Sequence, residues 1–348
     1  MRIDTYQIDL LDVKAADACL IRFRDSDTQK DYTVLIDSGN YTDGKVVVDF
    51  IMKYYKTNTI DLAICTHCDK DHFGGFIWIL EEMKKSANQS VCIKEMWIID
   101  PANHIVQEDV KNRINNTTLY KRARSVYDLN DQNLLDILDE MKDIIVHEPF
   151  SDGVNNAFDG IIDVIGPSKD YYKEKALDFR NDLEKAIIYS DDGASDIDDA
   201  TIDESKIIYS KALDDACDDS SSHNQTSVMI LFKPNESAKH LFMGDAGRDA
   251  IDKLKYESDL DQIKDLYWLK VPHHGSKHNM DSHLINHMNP KIACISTKGV
   301  GHYLNMATVN ALKKKGATVY STHKSRALCL TEGTGYLTRI NYTPANPL

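Results

Sequence analysis

Between positions 67 and 72 the chain reads His-Cys-Asp-Lys-Asp-His, followed by Phe73-Gly74-Gly75. Two imidazoles and two carboxylates within six residues offer four donors from one loop. Nitrogen and carboxylate oxygen together suit zinc, manganese or ferrous iron. The loop begins where an apolar run, IDLAICTH at 60–67, comes to its end, so a buried strand would carry it to the edge of a core. The glycines let the backbone turn sharply and approach the site closely. A polar strand-to-helix loop with Asp71 as a helix cap would explain one carboxylate but not the set.

Three further clusters follow apolar runs in the same way. Met243-Gly244-Asp245 comes after HLF, Pro272-His273-His274-Gly275-Ser276 after LYWLKV, and Gly301-His302 shortly after KIACIST. In α/β folds, ligands collect at the carboxyl ends of strands, and four clusters placed alike point to one shared site. Cys65 and Cys68 interleave with His67. On an extended strand end Cys65 would point into the core and Cys68 away from His67 and Asp69, so the pair reads as structural cysteines rather than a redox or zinc pair.

The elements that must position these residues follow from hydrophobic periodicity. Strands are expected at 6–13, 18–23, 32–39, 60–67, 94–100, 144–147 and 160–165, then at 227–232, 240–244, 266–271, 291–297 and 317–322, with a final hairpin. Helices are expected at 45–56, with Val47, Val48, Ile51, Met52 and Tyr55 on one face, and at 75–85, 247–255 and 307–315. Strands clustered in each half with helices between them suggest two packed sheets with helices outside. Residues 103–143 carry helical spacings and the most basic patch (Lys111, Arg113, Lys121, Arg122, Arg124), and read as a helical insertion. Residues 180–222 read as an acidic surface insertion, partly flexible.

With 348 residues, 42% hydrophobic and 28% charged, the chain is long enough for one large domain and is not a disordered polymer. No run approaches the ~18 apolar residues of a membrane span. The N-terminus has acids where a signal peptide needs bases, and seven scattered cysteines fit reduced thiols, so the expected compartment is the cytoplasm. The net charge of −14 argues against bulk coating of nucleic acid. However, residues 191–219 carry −9 of it, so the rest is only mildly acidic.

In these motifs the chain resembles the metallo-β-lactamase-fold superfamily, and most closely the subgroup of the hydrolase domain of ComEC-type DNA-uptake proteins. The resemblance rests on the HxDxDH form at His67, Asp69, Asp71 and His72, where Asp replaces the commoner middle His. It extends to LDVKAADACLIRF (11–23), VLIDSG (34–39), IDVIGPS (162–168), NQTSV (224–228), MGDA (243–246), LKVPHHGS (269–276), GH (301–302) and VYST (319–322). It covers nearly the whole chain outside the two insertions. Departures are Lys14-Ala15-Ala16-Asp17 in place of a glycine-rich turn, and Tyr303 in place of proline after His302.

The resemblance implies one αββα sandwich domain over 1–348, with two divalent ions, zinc or manganese, and iron as a third option. His67 and Asp69 would hold the first ion, Asp71, His72 and His302 the second, and Asp245 would bridge them. Asn224 stands where the wider superfamily has a third histidine, and His223 next door can substitute. Asp37 would orient a ligand. One of His273 and His274 would protonate the leaving oxygen, the other being free to ligate metal, while Ser276 or Lys277 would touch phosphate oxygens. The implied activity is a two-metal phosphodiesterase or nuclease using a metal-bound hydroxide. Two other readings stay open: a hydrolase of a small ester, amide, thioester or cyclic nucleotide, and a non-catalytic metal-binding interaction module. The expected partners are a phosphodiester substrate, with nucleic acid among the candidates, no membrane, and a protein partner through 103–143 or 180–222.

Overall fold

The computed structural model describes residues 1–85, 91–105, 118–179, 213–257, 260–299, 304–333 and 345–348. The apolar runs become strands: β1 (Ile3–Leu10), β2 (Cys19–Asp25), β3 (Asp31–Ile36), β4 (Thr59–Ile64), β5 (Cys92–Trp97), β6 (Asp128–Leu129), β7 (Gln132–Asn133) and β8 (Ile145–His147). In the second half come β9 (Asn156–Ala157), β10 (Ile162–Gly166), β11 (Met229–Asn235), β12 (Ala238–Phe242), β13 (Trp268–Lys270), β14 (Ile292–Ile295), β15 (Thr318–Ser321) and β16 (Leu328–Glu332).

Two seven-stranded sheets result, in the orders β16-β1-β2-β3-β4-β5-β8 and β15-β14-β13-β12-β11-β10-β9. Strands β3, β4, β5 and β8 run parallel, as do β12 to β15, so each sheet presents a row of carboxyl ends. The period-2 alternation of strands decides what lies where. On β11 and β12, Ile230, Phe232 and Phe242 face the first sheet, whose Tyr6 and Phe23 meet Phe232 at ring distances of 5.4 and 5.9 Å. Met229, Leu231 and Leu241 face the other way, onto Ile251, Leu254, Ile285 and Leu312 of the outer helices Arg248–Glu257, Ser282–Met288 and Met306–Lys315. The helices Asp43–Phe50 and Lys70–Lys85 cover the first sheet. The fold is therefore a mixed α/β sandwich of two sheets flanked by helices.

Several details differ from the sequence expectation. The second helix starts at Lys70, not 75, so Gly74 and Gly75 lie inside it rather than in a turn. Their smallness serves close approach: a Cβ on Gly75 would lie 2.1 Å from the Ser38 carbonyl oxygen, which is backbone and cannot yield. The helix at Asp43–Phe50 continues as a π-turn, Ile51–Tyr55, and Met52 points to solvent instead of sharing the buried face. Of the expected final hairpin one strand is described, β16, which pairs antiparallel with β1, while residues 334–344 lie outside the described residues. Within 103–143 the described parts are helices Ala102–Ile105, Thr118–Arg124 and Leu134–Glu140 plus the small β6–β7 ladder. Lys111 and Arg113, and most of the acidic insertion (180–212), lie outside the described residues. No helix among the described residues is long and apolar enough to cross a membrane.

His240 on β12 is sealed between the sheets. Its Nδ1 is 3.2 Å from the Phe232 carbonyl oxygen and its Nε2 3.1 Å from the Tyr6 hydroxyl. The neutral ring suits both, donating from Nδ1 and accepting at Nε2, and burial pushes its pKa down to about 4. The unfolded chain, with an ordinary histidine pKa near 6.5, binds this proton first on acidification. The contribution of His240 to stability is thus full above pH about 6.5 and falls by about 3 kcal/mol toward pH 4. Urea midpoints measured across that window should drop steeply for the wild type and less for His240→Gln, whose amide keeps both hydrogen bonds without titrating.

Candidate metal centre

The carboxyl ends of β3, β4, β12, β13 and β14 meet at one edge of the sandwich. They bring Asp37, the 66–72 loop, Asp245, His273–His274 and Ser296 together. Asp37 organises the first half. Its Oδ1 accepts the Thr66 backbone N–H at 2.8 Å, and its Oδ2 accepts the Thr66 hydroxyl at 2.7 Å and the His72 ring Nδ1–H at 2.8 Å. Because the Thr66 hydroxyl spends its proton on Asp37, it can only accept from Nδ1 of His67, 3.0 Å away. One carboxylate therefore sets both tautomers, and the lone pairs of His67 and His72 are left on Nε2.

Those two Nε2 atoms are buried and have no hydrogen-bond partner. Asp245 lies between them, with Oδ1 3.4 Å from His72 Nε2 and Oδ2 4.0 Å from His67 Nε2. Asp69 Oδ2 is 3.7 Å from His67 Nε2, and Asp71 Oδ2 is 3.9 Å from His72 Nε2. His274 joins this second group, its Nδ1 2.9 Å from the Ser296 carbonyl oxygen and its Nε2 3.1 Å from Asp71 Oδ2. Asp17, His72, Asp245 and His274 each place one donor atom within 4.8 Å of the others, all four side chains being buried. A second group, Cys68, Asp69 and His223, meets the same criterion.

His273 stands apart from its neighbour. Its Nδ1 is 3.0 Å from Asp219 Oδ2 and 3.2 Å from Asn279 Oδ1, and its Nε2 is 3.9 Å from Asp245 Oδ2. His273 and His274 both take left-handed backbone angles, φ 46° and 53°, which is how consecutive side chains reach different partners. Gly244, before Asp245, is also left-handed, and a Cβ there would lie 2.7 Å from the Thr66 hydroxyl oxygen.

The electrostatics call for a cation. Asp17, Asp37, Asp69, Asp71 and Asp245 converge, with buried Lys270 paired to Asp17 and 4.0 Å from Asp245 Oδ1. Burial opposes a charged His72 ring, but Asp245, Asp37 and Asp71 outweigh it and raise its pKa well above 6.5. Burial likewise opposes charge on His273, yet Asp245 and Asp219 push it up to about 9. A divalent ion supplies positive charge that these imidazoles would otherwise borrow as protons. The unpartnered buried atoms, His67 Nε2, His72 Nε2, His223 Nε2, Asp17 Oδ1 and Asn224 Oδ1, are of the type metals take. The residues present fit a metal centre.

Other residues singled out in the sequence fall as follows. Asn224 Nδ2 donates to Asp219 Oδ2 at 2.8 Å. Ser276 Oγ accepts the His278 N–H at 3.2 Å, so it secures its own loop, and Lys277 is half-buried beside it. His302 lies outside the described residues. Cys68 does not face away from Asp69: the strand ends at Ile64 and the chain bends at His67 and Cys68, so strand alternation no longer applies. Arg124 of the basic patch is buried in ion pairs with Asp100, Asp136 and Asp139 and is not available as part of a phosphate track. Sequence reasoning missed Asp17, Thr66, Asp219 and Lys270. Asp17 and Lys270 sit inside the stretches LDVKAADACLIRF and LKVPHHGS, where a lone charge beside an apolar run was the available signal.

No protein-family model matches this chain, and no curated protein matches it. Among solved structures it is similar to one described as the crystal structure of a new diphosphatase from the PhnP family. The identity is 9%, over 95% of this chain and 100% of that one, with a TM-score of 0.38. So weak a likeness transfers no residue role.

Asp37→Asn isolates the orienting carboxylate. Asn tolerates the left-handed φ of 56° at this position but has one acceptor oxygen for three donors. Zinc affinity measured by competition with a chelating dye should fall about 10–100-fold, with the circular dichroism spectrum unchanged.

Proposed function

We propose that the protein is a metal-dependent hydrolase of the metallo-β-lactamase fold acting on phosphodiesters, with nucleic acid among the candidate substrates. The observation that carries the reading is the pair of unpartnered, tautomer-locked Nε2 atoms of His67 and His72 on either side of the Asp245 carboxylate. The first metal position would be held by His67 and Asp69, with His223 or Asn224 beside them. The second would be held by Asp71, His72 and His274, with Asp17 close by and His302 from the family resemblance. Asp245 would serve both. Two divalent ions there would acidify a shared water and offset negative charge developing on a phosphoryl group.

The chain's own residues supply the rest. Asp37 and Thr66 hold the imidazoles in one tautomer, so the site is set before substrate arrives. His274 donates from Nδ1 to the Ser296 carbonyl oxygen, which leaves the Nε2 lone pair facing Asp71 Oδ2 at 3.1 Å, an arrangement that suits two ligands of one ion. His273 is anchored at Nδ1 by Asp219 and Asn279 and directs Nε2 toward Asp245, 3.9 Å away, which suits a group that hands a proton to the leaving oxygen. This division of labour supports reading His273 as the acid.

Purified protein should contain zinc, manganese or iron, and Asp69→Ala combined with Asp245→Ala should remove most of it by elemental analysis. Wild-type enzyme should cleave bis-p-nitrophenyl phosphate or oligonucleotides in preference to lactams, and chelation should abolish this. A wild type without metal and without turnover on those substrates, cyclic dinucleotides or small esters would overturn the reading.

The two histidines can be separated by leaving group. His273→Ala should lower kcat on an oligonucleotide about 10²–10⁴-fold while sparing the nitrophenyl ester, whose departing oxygen scarcely needs a proton. His274→Ala should depress both substrates together and release metal. The reverse pattern would exchange their roles.

A further inference from the structure

Cys68 occupies an unusual place for a structural cysteine. A buried cysteine that only fills space behaves as a small hydrophobe among apolar neighbours. Cys65 is of that kind: it sits in the core, and its Sγ lies 3.2 Å from the His67 carbonyl oxygen. Cys68 is equally buried, but its Sγ, a carboxylate oxygen of Asp69 and a ring nitrogen of His223 all lie within 4.8 Å of one another. The His223 ring is fixed by Phe179, edge-on at 4.6 Å, and by Asp69 Oδ1 at 3.1 Å from Nδ1, while its buried Nε2 has no hydrogen-bond partner. The His67 side chain is fully buried, its Nε2 is unpartnered too, and it stands 3.7 Å from the same Asp69 carboxylate.

We propose that Cys68 is a metal ligand, so that the first position is a thiolate site formed by Cys68, Asp69 and His223, with His67 close to Asp69 at its edge. The inference rests on the metal-dependent reading above and deepens it. One sulfur, one carboxylate oxygen and one imidazole nitrogen are three donors of the kind zinc takes, leaving a fourth position of a tetrahedral ion open. The two negative ligands match the charge of a divalent ion. The thiol proton passes to solvent as the sulfur–metal bond forms, with no change of oxidation state. Around the second position, Asp17, Asp71, Asp245, His72 and His274 offer only oxygen and nitrogen. The two halves of the centre therefore differ in softness: the thiolate half selects zinc over manganese, and the carboxylate half does not.

Cobalt(II) reports the difference directly. Metal-free protein reloaded with cobalt should show a near-ultraviolet thiolate-to-cobalt charge-transfer band beside the visible bands of bound cobalt. Cys68→Ser should lose the first and retain visible bands from the second position, while Cys92→Ser, altered on β5 outside the centre, should keep both. Zinc X-ray absorption of the wild type should show a sulfur neighbour at about 2.3 Å, and needs no variant to fold. Cobalt bound without the charge-transfer band, zinc without sulfur, or a band that survives Cys68→Ser would overturn the inference and leave the hydrolase reading standing. Failure of the wild type to bind either metal would overturn both.

Discussion

The carboxylate of Asp37 accepts three hydrogen bonds from two residues of the next strand's loop, and the geometry of the centre follows from that. A carboxylate accepts only, so the protons of Thr66 and His72 must point at it. Thr66 then becomes an acceptor for His67, and both rings turn their Nε2 lone pairs toward the Asp245 carboxylate. Asp37 can do this because β3 and β4 lie side by side and parallel, which aligns their carboxyl ends. Its left-handed φ of 56° is the local cost of turning the side chain across to the neighbouring loop.

The second sheet contributes by approaching the same edge. The Val228 N–H donates to the Thr66 carbonyl oxygen at 2.8 Å, and the Ser296 hydroxyl donates to the Ala16 carbonyl oxygen at 2.5 Å. These bonds join the two halves of the sandwich at the level of the centre. Asp245 is thereby held between His67 and His72 although it lies more than 170 positions away in the chain. Lys270 adds a buried positive charge against Asp17 and near Asp245, which offsets part of the repulsion among five carboxylates.

Packing from the helix Lys169–Ala176 and the residues after it reaches the centre as well. Edge-to-face rings run from His104 through Tyr172 and Phe179 to His223, at centroid distances of 5.4, 5.9 and 4.6 Å. His223 is therefore positioned by packing from outside the two sheets. Such packing fixes a rotamer without consuming the ring's second nitrogen.

Much of this was legible in the residues. Apolar runs of strand length with helices between them lead to two sheets, and the clusters following those runs mark the edge where donors converge, because a strand delivers its last residues to the rim of a core. His67, Asp69, Asp71, His72 and Asp245 could be read as candidate ligands on type and spacing. Their surroundings could not. Which of His273 and His274 reaches Asp71 depends on two consecutive left-handed residues, and no periodicity encodes that. Cys68 was read with strand alternation that had already ended at Ile64, so only the bend at 67–68 shows where its sulfur goes. Asp17, Lys270 and Asp219 are single charges without a local motif, and they acquire partners only when strands distant in sequence are brought together. Periodicity and donor chemistry are local properties that a sequence determines; tautomer, rotamer and the pairing of lone charges are contacts between distant segments, and the tertiary structure decides them.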